Sequence, residues 1–216
     1  GNGKVHPIPN SRYDAGSGRA IFHTTHFSTF AVAYVSHAFG DLASVPWAKD
    51  AIMHMAARDV IKGTTASSFS PETFITRADF AALLVRALEL QSSGNPAAAF
   101  NDIEPSAYYR DAIDTALSLG LVNGFKDQTF RPNSPISRQD MMSMAARALS
   151  AAGKKAEGSG SLDGYLDAAS ISGYAMDSVA ALVKSGIVNG KNGKIAPHDS
   201  LTRAEAAVIS HRIWNL

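Results

Sequence analysis

The chain lacks cysteine altogether, so disulfides, thiolate metal sites and cysteine nucleophiles are excluded from its 216 residues. It also lacks a long apolar run. The longest uninterrupted one, Phe30 to Val35, is far shorter than the roughly 20 residues that a membrane-spanning helix needs, and no membrane insertion is expected. An excess of one charge is missing too. Twenty Lys and Arg stand against nineteen Asp and Glu, giving a formal charge of +1. Bulk electrostatics therefore does not hold a polyanion, no nucleic acid is expected as a partner, and any anion recognition must come from individually placed residues. No basic segment followed by an apolar core opens the sequence, and Gly1-Asn2-Gly3 reads as a cut within a longer polypeptide. What is present, 45% hydrophobic and 18% charged residues, is the composition of a folded protein rather than a disordered or collagen-like one.

Self-comparison uncovers a repeat. Phe39-Gly-Asp41, Phe100-Asn-Asp102 and Tyr165-Leu-Asp167 each open a unit. An aromatic follows (Trp47, Tyr108, Tyr174), then a helical pattern, then Val60-Ile-Lys-Gly63, Leu121-Val-Asn-Gly124 or Ile187-Val-Asn-Gly190. A loop bearing Pro71, Pro132 or Pro197 leads to a second helix introduced by Ile75-Thr-Arg-Ala-Asp79, Ile136-Ser-Arg-Gln-Asp140 or Leu201-Thr-Arg-Ala-Glu205. In every unit the arginine (Arg77, Arg138, Arg203) lies 36 residues beyond the opening aspartate. The units run over 39–90, 100–151 and 165–216, with linker compositions at 91–99 and 152–164. Residues 1–38 belong to no unit. Ala20 to Val35, rich in Phe, Thr, Val and Tyr behind a Gly-Ser-Gly turn, reads as a strand or hairpin, the tail of an upstream β domain.

Apolar side chains recur at i, i+3, i+4 in the first helix of each unit (Ile52, Met55, Ala56; Ile113, Ala116, Leu117; Val179, Leu182, Val183). The second helices repeat the pattern with Phe80, Leu83, Leu84, with Met141, Met144, Ala145, and with Ala206, Ile209, Ser210. The fold class is mainly α. A unit of about fifty residues buries too little surface alone, so the three should share one core, with the first helices forming a common bundle and grooves between units. Gly63 and Gly124, each after Lys or Asn, suit left-handed helix caps, and would also let a ligand approach the backbone. Asp41, Asp102 and Asp167 suit a cap on the first helix or its preceding turn, with a ligand role as the alternative.

Thr76-Arg77-Ala78-Asp79 and Thr202-Arg203-Ala204-Glu205 have the form of a capping box, and Ser137-Arg138-Gln139-Asp140 is a variant. Capping explains the hydroxyl and the acid but not the arginine, because a cation in the first turn faces the positive end of the helix dipole. Two readings account for its threefold recurrence. Guanidinium and free helix amides can together grip a carboxylate or phosphate. Alternatively, each arginine pairs with a neighbouring unit's Asp41, Asp102 or Asp167. Trp47, Tyr108 and Tyr174, ahead of the first helices, can stack on the C–H face of a sugar or fill the core.

These ordered motifs, three times over from about 39 to 216, resemble the S-layer homology (SLH) domain. The resemblance implies a pseudo-threefold, three-pronged spindle around a central three-helix bundle, here with an N-terminal β-hairpin. It implies a secreted, cell-surface, non-catalytic module without cofactor. The implied partner is secondary cell wall polymer linked to peptidoglycan, held in grooves between units through Arg77, Arg138 and Arg203. The implied terminal sugar is pyruvylated N-acetylmannosamine. Trp47, Tyr108 and Tyr174 would wall those grooves, Gly63 and Gly124 would allow close approach, and Asp41 and Asp102 would line them. Units one and two keep the pattern best. Unit three departs at Lys191 to Pro197, so weaker binding is expected there.

Three rival readings have a basis in the residues. A glycosidase needs one unique pair of carboxyls, which a threefold repeat of every candidate does not provide. Zinc at His23-Thr-Thr-His26, with His37 nearby, fails because i and i+3 on a strand point to opposite faces. A protein-binding or self-assembly module, working with an upstream region, is the stronger alternative, since grooved helical repeats also suit partner helices.

Overall fold

A computed structural model describes residues 7–24, 28–92, 94, 100–156 and 161–216. Parts of both expected linkers, and His26 of the histidine pair, lie outside the described residues. A short antiparallel hairpin, β1 (Arg12–Asp14) and β2 (Arg19–Ile21), turns at the Gly16-Ser17-Gly18 sequence. Among the described residues six α-helices follow, with short 3-10 turns between some of them: α1 (Lys49–Ala57), α2 (Arg77–Ala87), α3 (Arg110–Ser118), α4 (Arg138–Ala151), α5 (Met176–Lys184) and α6 (Arg203–Trp214). The strand expected through Val35 stops at Ile21. Residues 28–39 have no regular structure, and Val32 and Tyr34 stand exposed.

The common bundle is not built from the first helices. It is built from the second helices, with α2 packed on both α4 and α6. Each first helix instead lies against the second helix of the preceding unit: α3 on α2, α5 on α4, and α1 on α6, which closes the ring. The apolar stripes explain the arrangement. The second helices are buried on most of their circumference: α2 through Ala78, Phe80, Ala81, Leu83, Leu84 and Ala87, α4 through Met141, Met142, Met144, Ala145, Ala148 and Leu149. The first helices bury a narrow stripe, such as Ile113 and Ala116 in α3. A helix buried nearly all round belongs at the axis, and one with a single stripe belongs outside. No unit completes a prong without its neighbour.

At the axis the chain closes a ring of main-chain hydrogen bonds. The Ile75 amide donates to Leu201 (2.9 Å), the Leu201 amide to Ile136 (3.0 Å) and the Ile136 amide to Ile75 (3.1 Å). The apolar residue two before each arginine is thus a strand-like link between all three units, buried to 2% exposure or less, and this ring sets the pseudo-threefold relation.

Helix ends account for another difference from expectation. The left-handed residues that follow the first helices are Asp59 (φ 57°), Gly120 (φ 71°) and Gly186 (φ 72°), not Gly63 or Gly124. Those two, with Gly190, are required for space. A Cβ on Gly63 would lie 2.6 Å from the Phe39 ring, and one on Gly124 or Gly190 would collide with the rings of Phe100 or Tyr165. The aromatic that opens each unit therefore packs on the glycine that follows its first helix.

Candidate functional site

The second helices start at the junctions between units. Thr76, Ser137 and Thr202 cap them, each side chain accepting from the amide three residues on. The reciprocal half of the capping box forms only in α6, where Glu205 reaches back to the Thr202 amide (2.9 Å). Asp79 and Asp140 are one methylene shorter and do not take the N-cap amide, although Asp79 still accepts from the Thr76 hydroxyl (2.9 Å).

The first-turn amides are not free for an anion. Arg77 and Ala78 donate to the Ser134 and Pro132 carbonyls, Arg138 and Gln139 to Asp199 and Pro197, and Arg203 and Ala204 to Thr73 and Pro71. Each helix start is plugged by the proline loop of the next unit in the ring. The arginine side chain follows the same route. Nε of Arg77 donates to Phe130 (3.0 Å), that of Arg138 to Ile195 (2.8 Å) and that of Arg203 to Phe69 (3.0 Å). Arg77 and Arg203 also lie over the rings of Phe130 (5.0 Å) and Phe69 (4.7 Å). This is the reason for an arginine in an unfavourable helix position: it ties one unit to the next.

The carboxylates that meet the guanidinium groups are those at the third helical position, not Asp41, Asp102 and Asp167. Arg77 lies 3.5 Å from Asp140, and Arg138 lies 3.0 Å from Glu205. Burial lowers the Arg203 pKa, while the negative charge of Asp79 raises it, and Arg77 is balanced in the same way between burial and Asp140. Arg77 and Arg138 are each 6% exposed, whereas Arg203 is only partly buried.

The aromatics complete the clusters and are exposed: Trp47 59%, Tyr108 72% and Tyr174 59%. The Tyr108 hydroxyl donates to Asp79 and the Tyr174 hydroxyl to Asp140, each at 2.6 Å. Desolvation and this bond push both phenols up to about 12, so they remain donors at neutral pH. Each cluster draws one residue from each unit. Arg77, Asp140 and Tyr174 form one, and Arg203, Asp79 and Tyr108 a second. By the same threefold relation Trp47 falls to Arg138 and Glu205. There the long Glu both takes the arginine and closes its own capping box, and the matching aromatic position holds a Trp, which has no hydroxyl to offer.

Asp41, Asp102 and Asp167 do not cap helices. Asp41 accepts from the Phe69 and Ser70 amides, Asp102 from those of Phe130 and Arg131, and Asp167 from those of Ile195 and Ala196. Those amides, with the Ser68 hydroxyl, pull the Asp41 pKa down to about 2. The opening aspartate thus clamps the proline loop whose carbonyl receives the arginine, and Ile195 takes the place of Phe69 and Phe130 in unit three. The clamp holds a strained residue: Ser70 (φ 56°), Arg131 (φ 58°) and Ala196 (φ 53°) are left-handed without being glycine. Sequence reasoning missed this strain, for which the only signal was the recurring residue before proline. It also assigned Asp79, Asp140 and Glu205 to capping alone. Relief of the strain is measurable. Ala196→Gly is expected to stabilise the protein by about 0.5–1 kcal/mol, the left-handed cost of about 1–2 kcal/mol less the added freedom of the unfolded chain. In thermal unfolding that is a rise of roughly 1–4 °C.

The geometry therefore contains three ordered repeats that interlock in a ring. The S-layer homology domain profile matches this chain at residues 38–81, 99–142 and 164–207. The chain belongs to the S-layer homology domain family. It is 35% identical over 199 residues to an amylopullulanase of Thermoanaerobacterium thermosulfurigenes, covering 92% of this chain and 10% of that protein. The surface-layer 125 kDa protein of Lysinibacillus sphaericus is 29% identical over 170 residues (77% and 14%). A cellulosome-anchoring protein of Acetivibrio thermocellus is 30% identical over 115 residues (51% and 26%). The SLH chain thus spans between a tenth and about a quarter of the length of these relatives. Among the described residues no group of three His, Asp or Glu is placed to hold a metal ion, and no helix is long and apolar enough to cross a membrane.

Proposed function

We propose that this SLH chain is a non-catalytic anchor that holds a larger protein at the bacterial cell surface by binding secondary cell wall polymer. The reading rests on one observation, the recurrence at the unit junctions of an arginine beside a carboxylate of another unit, with an exposed aromatic ahead of each first helix. Arg77 and Arg138 are already paired with an acid and Arg203 feels the charge of Asp79, so a simple anion has to compete with carboxylates already in place. An acidic sugar fits better. Its acid group pairs with the guanidinium, its hydroxyls donate to Asp79, Asp140 or Glu205, and its ring lies against the exposed aromatic. A terminal pyruvylated N-acetylmannosamine has this combination of groups. Relatives named as glycan-degrading enzymes, a surface-layer protein and a cellulosome-anchoring protein support an anchor shared among different passengers.

In this reading Arg77, Arg138 and Arg203 recognise the acid group, and Trp47, Tyr108 and Tyr174 wall the grooves. Gly63 and Gly124, with Asp41 and Asp102, hold the loops that shape those grooves. Accessibility puts the Arg203, Asp79 and Tyr108 cluster first, the reverse of the order drawn from motif completeness. Retention on purified wall polymer tests the reading, with polymer stripped of its acidic substituents as the comparison. Binding to intact polymer and at least tenfold weaker binding to stripped polymer are expected. Arg203→Gln is expected to cost about 1.5 kcal/mol of affinity for a lost charge-assisted hydrogen bond. Equal retention on both polymers would replace the wall-anchor reading with the self-assembly one.

A further inference from the structure

The α1–α6 contact that closes the ring differs from its two counterparts. His54 of α1 and His211 of α6 meet edge to face, with ring centroids 4.6 Å apart. Both lie against Trp214, at 4.9 Å and 6.5 Å. The corresponding positions at the other two junctions are Thr115 with Val85 and Ala181 with Ala146, so this helix pair alone carries histidines at these positions. The segment ahead of the repeats is docked on it. The Arg12 guanidinium donates to the Trp214 carbonyl (3.0 Å), and the Trp214 indole N–H donates to the Pro9 carbonyl (2.9 Å). Nη2 of Arg58 donates to the Ser11 carbonyl (3.1 Å), and the Asn10 amide group reaches Glu89 beyond α2. Arg12 and Arg58 stand 4.4 Å and 4.7 Å from the Trp214 ring centroid.

The charged groups facing the two histidines are mostly cations: Arg12 from β1, Arg58 from the end of α1, and Arg212 on α6 itself. Asp50 of α1 is the carboxylate that favours a charged His211, and Glu89 is taken up by Asn10. A proton on either imidazole therefore enters a half-buried site already occupied by guanidinium groups. We propose that residues 7–14 form an acid-released clasp. Protonation of the His54–His211 pair undocks this segment from Trp214 and the α1–α6 junction, while the three SLH units stay folded. The sign follows from the environment. Burial, then Arg58, His211 and Arg12, pushes His54 down to about 4, and burial with Arg58 and Arg212 pushes His211 down. Both rings are neutral when docked, and release takes the Arg12 guanidinium and the cover of the segment away from His54, which makes its protonation easier in the released state. Docking is at full strength above the unperturbed value near 6.5 and is lost as pH falls toward about 4. Release frees the angle between the N-terminal hairpin and the SLH body.

The Trp214 indole N–H reports docking directly, and a Trp47→Phe variant assigns its NMR signal. Its exchange with water is followed in the full chain from pH 7.5 to 4.5, corrected for the intrinsic pH dependence of exchange, with far-UV circular dichroism alongside. Protection is expected to fall at least tenfold over this range at unchanged helicity, and to change less than twofold in His54→Gln/His211→Gln. Flat protection in the native chain would overturn the clasp, as would an equal fall in the double variant. Loss of helicity in the same step would show general acid unfolding instead. If the double variant does not fold, His211→Gln replaces it. Removal of one of the two titrating groups is then expected to make the fall shallower, and an unchanged profile counts against the proposal.

Discussion

Arg138→Ala is expected to lower the free energy of unfolding by about 3 kcal/mol, the low end of the cost of breaking a buried charged pair. The side chain is 8% exposed and makes three connections across the boundary between units two and three. Nε donates to Ile195 (2.8 Å), Nη1 to Glu205 (3.0 Å) and Nη2 to Asn189 (3.4 Å). Truncation orphans the buried Ile195 carbonyl and leaves Glu205 without its cation, while the removed stem opens a void between α4 and the proline loop of unit three. Arg138→Lys should recover only part of the loss, because one ammonium group cannot serve a carbonyl and a carboxylate that the planar guanidinium reaches in two directions. Urea unfolding monitored by circular dichroism measures the effect. Arg110→Ala is the control. It removes a partly buried i, i+4 pair with Asp114 and a hydrogen bond to the Ile103 carbonyl, both within unit two, and should cost about 1–2 kcal/mol. Equal losses in the two variants would contradict a role for Arg138 in joining the units. Because the arginines connect units, affinity changes in their variants bear on recognition only where the fold is intact, which is a reason to start with the more exposed Arg203.

The repeat, the helical class and the boundaries of the second helices were legible because each rests on a local pattern: a 3.6-residue apolar period and a hydroxyl cap. The choice of which helix lies at the axis was not. The stripes of the first helices look as apolar as those of the second, and only the fraction of the circumference that is buried separates them, which depends on neighbours in the ring. The same holds for the arginine. Its unfavourable place in the first turn marked it as a residue with a purpose, and both offered partners were chemically sound. The acid it meets, Asp140 or Glu205, sits in the next unit's own capping motif, and no spacing within a unit points there. Asp41 was misassigned for a related reason. A carboxylate ahead of a helix suits a cap, but the loop amides 28 and 29 residues on offer it two main-chain donors at 2.7–2.9 Å. The clusters were legible residue by residue and illegible as groupings, since each takes its members from three units.

Gly63→Ala is expected to cost about 3 kcal/mol, the upper end for overpacking, even though this glycine has no unusual backbone angle. An added methyl carbon would sit 2.5 Å from the Thr65 carbonyl oxygen, 2.6 Å from the Phe39 ring and 2.7 Å from the Ser68 carbonyl oxygen. Two of these three are main-chain atoms that cannot step aside. The Ser68 carbonyl is held by the Thr65 amide (3.2 Å), and the next amides in the loop, Phe69 and Ser70, are clamped by Asp41. The ring has little room either, since it packs against Phe69 with centroids 5.6 Å apart. Gly40→Ala isolates the effect: its new carbon would meet nothing closer than 4.0 Å and should change stability by less than about 0.5 kcal/mol. Combining Gly63→Ala with Phe39→Ala separates the two obstacles. Removing the ring relieves one contact and leaves both carbonyls, so the glycine substitution should remain costly in that background. If its cost disappeared there, the ring alone would set the need for glycine. The loop movement forced by Gly63→Ala also reaches the Phe69 carbonyl that receives Arg203, so wall-polymer affinity should fall with stability at that junction and remain closer to normal at the other two.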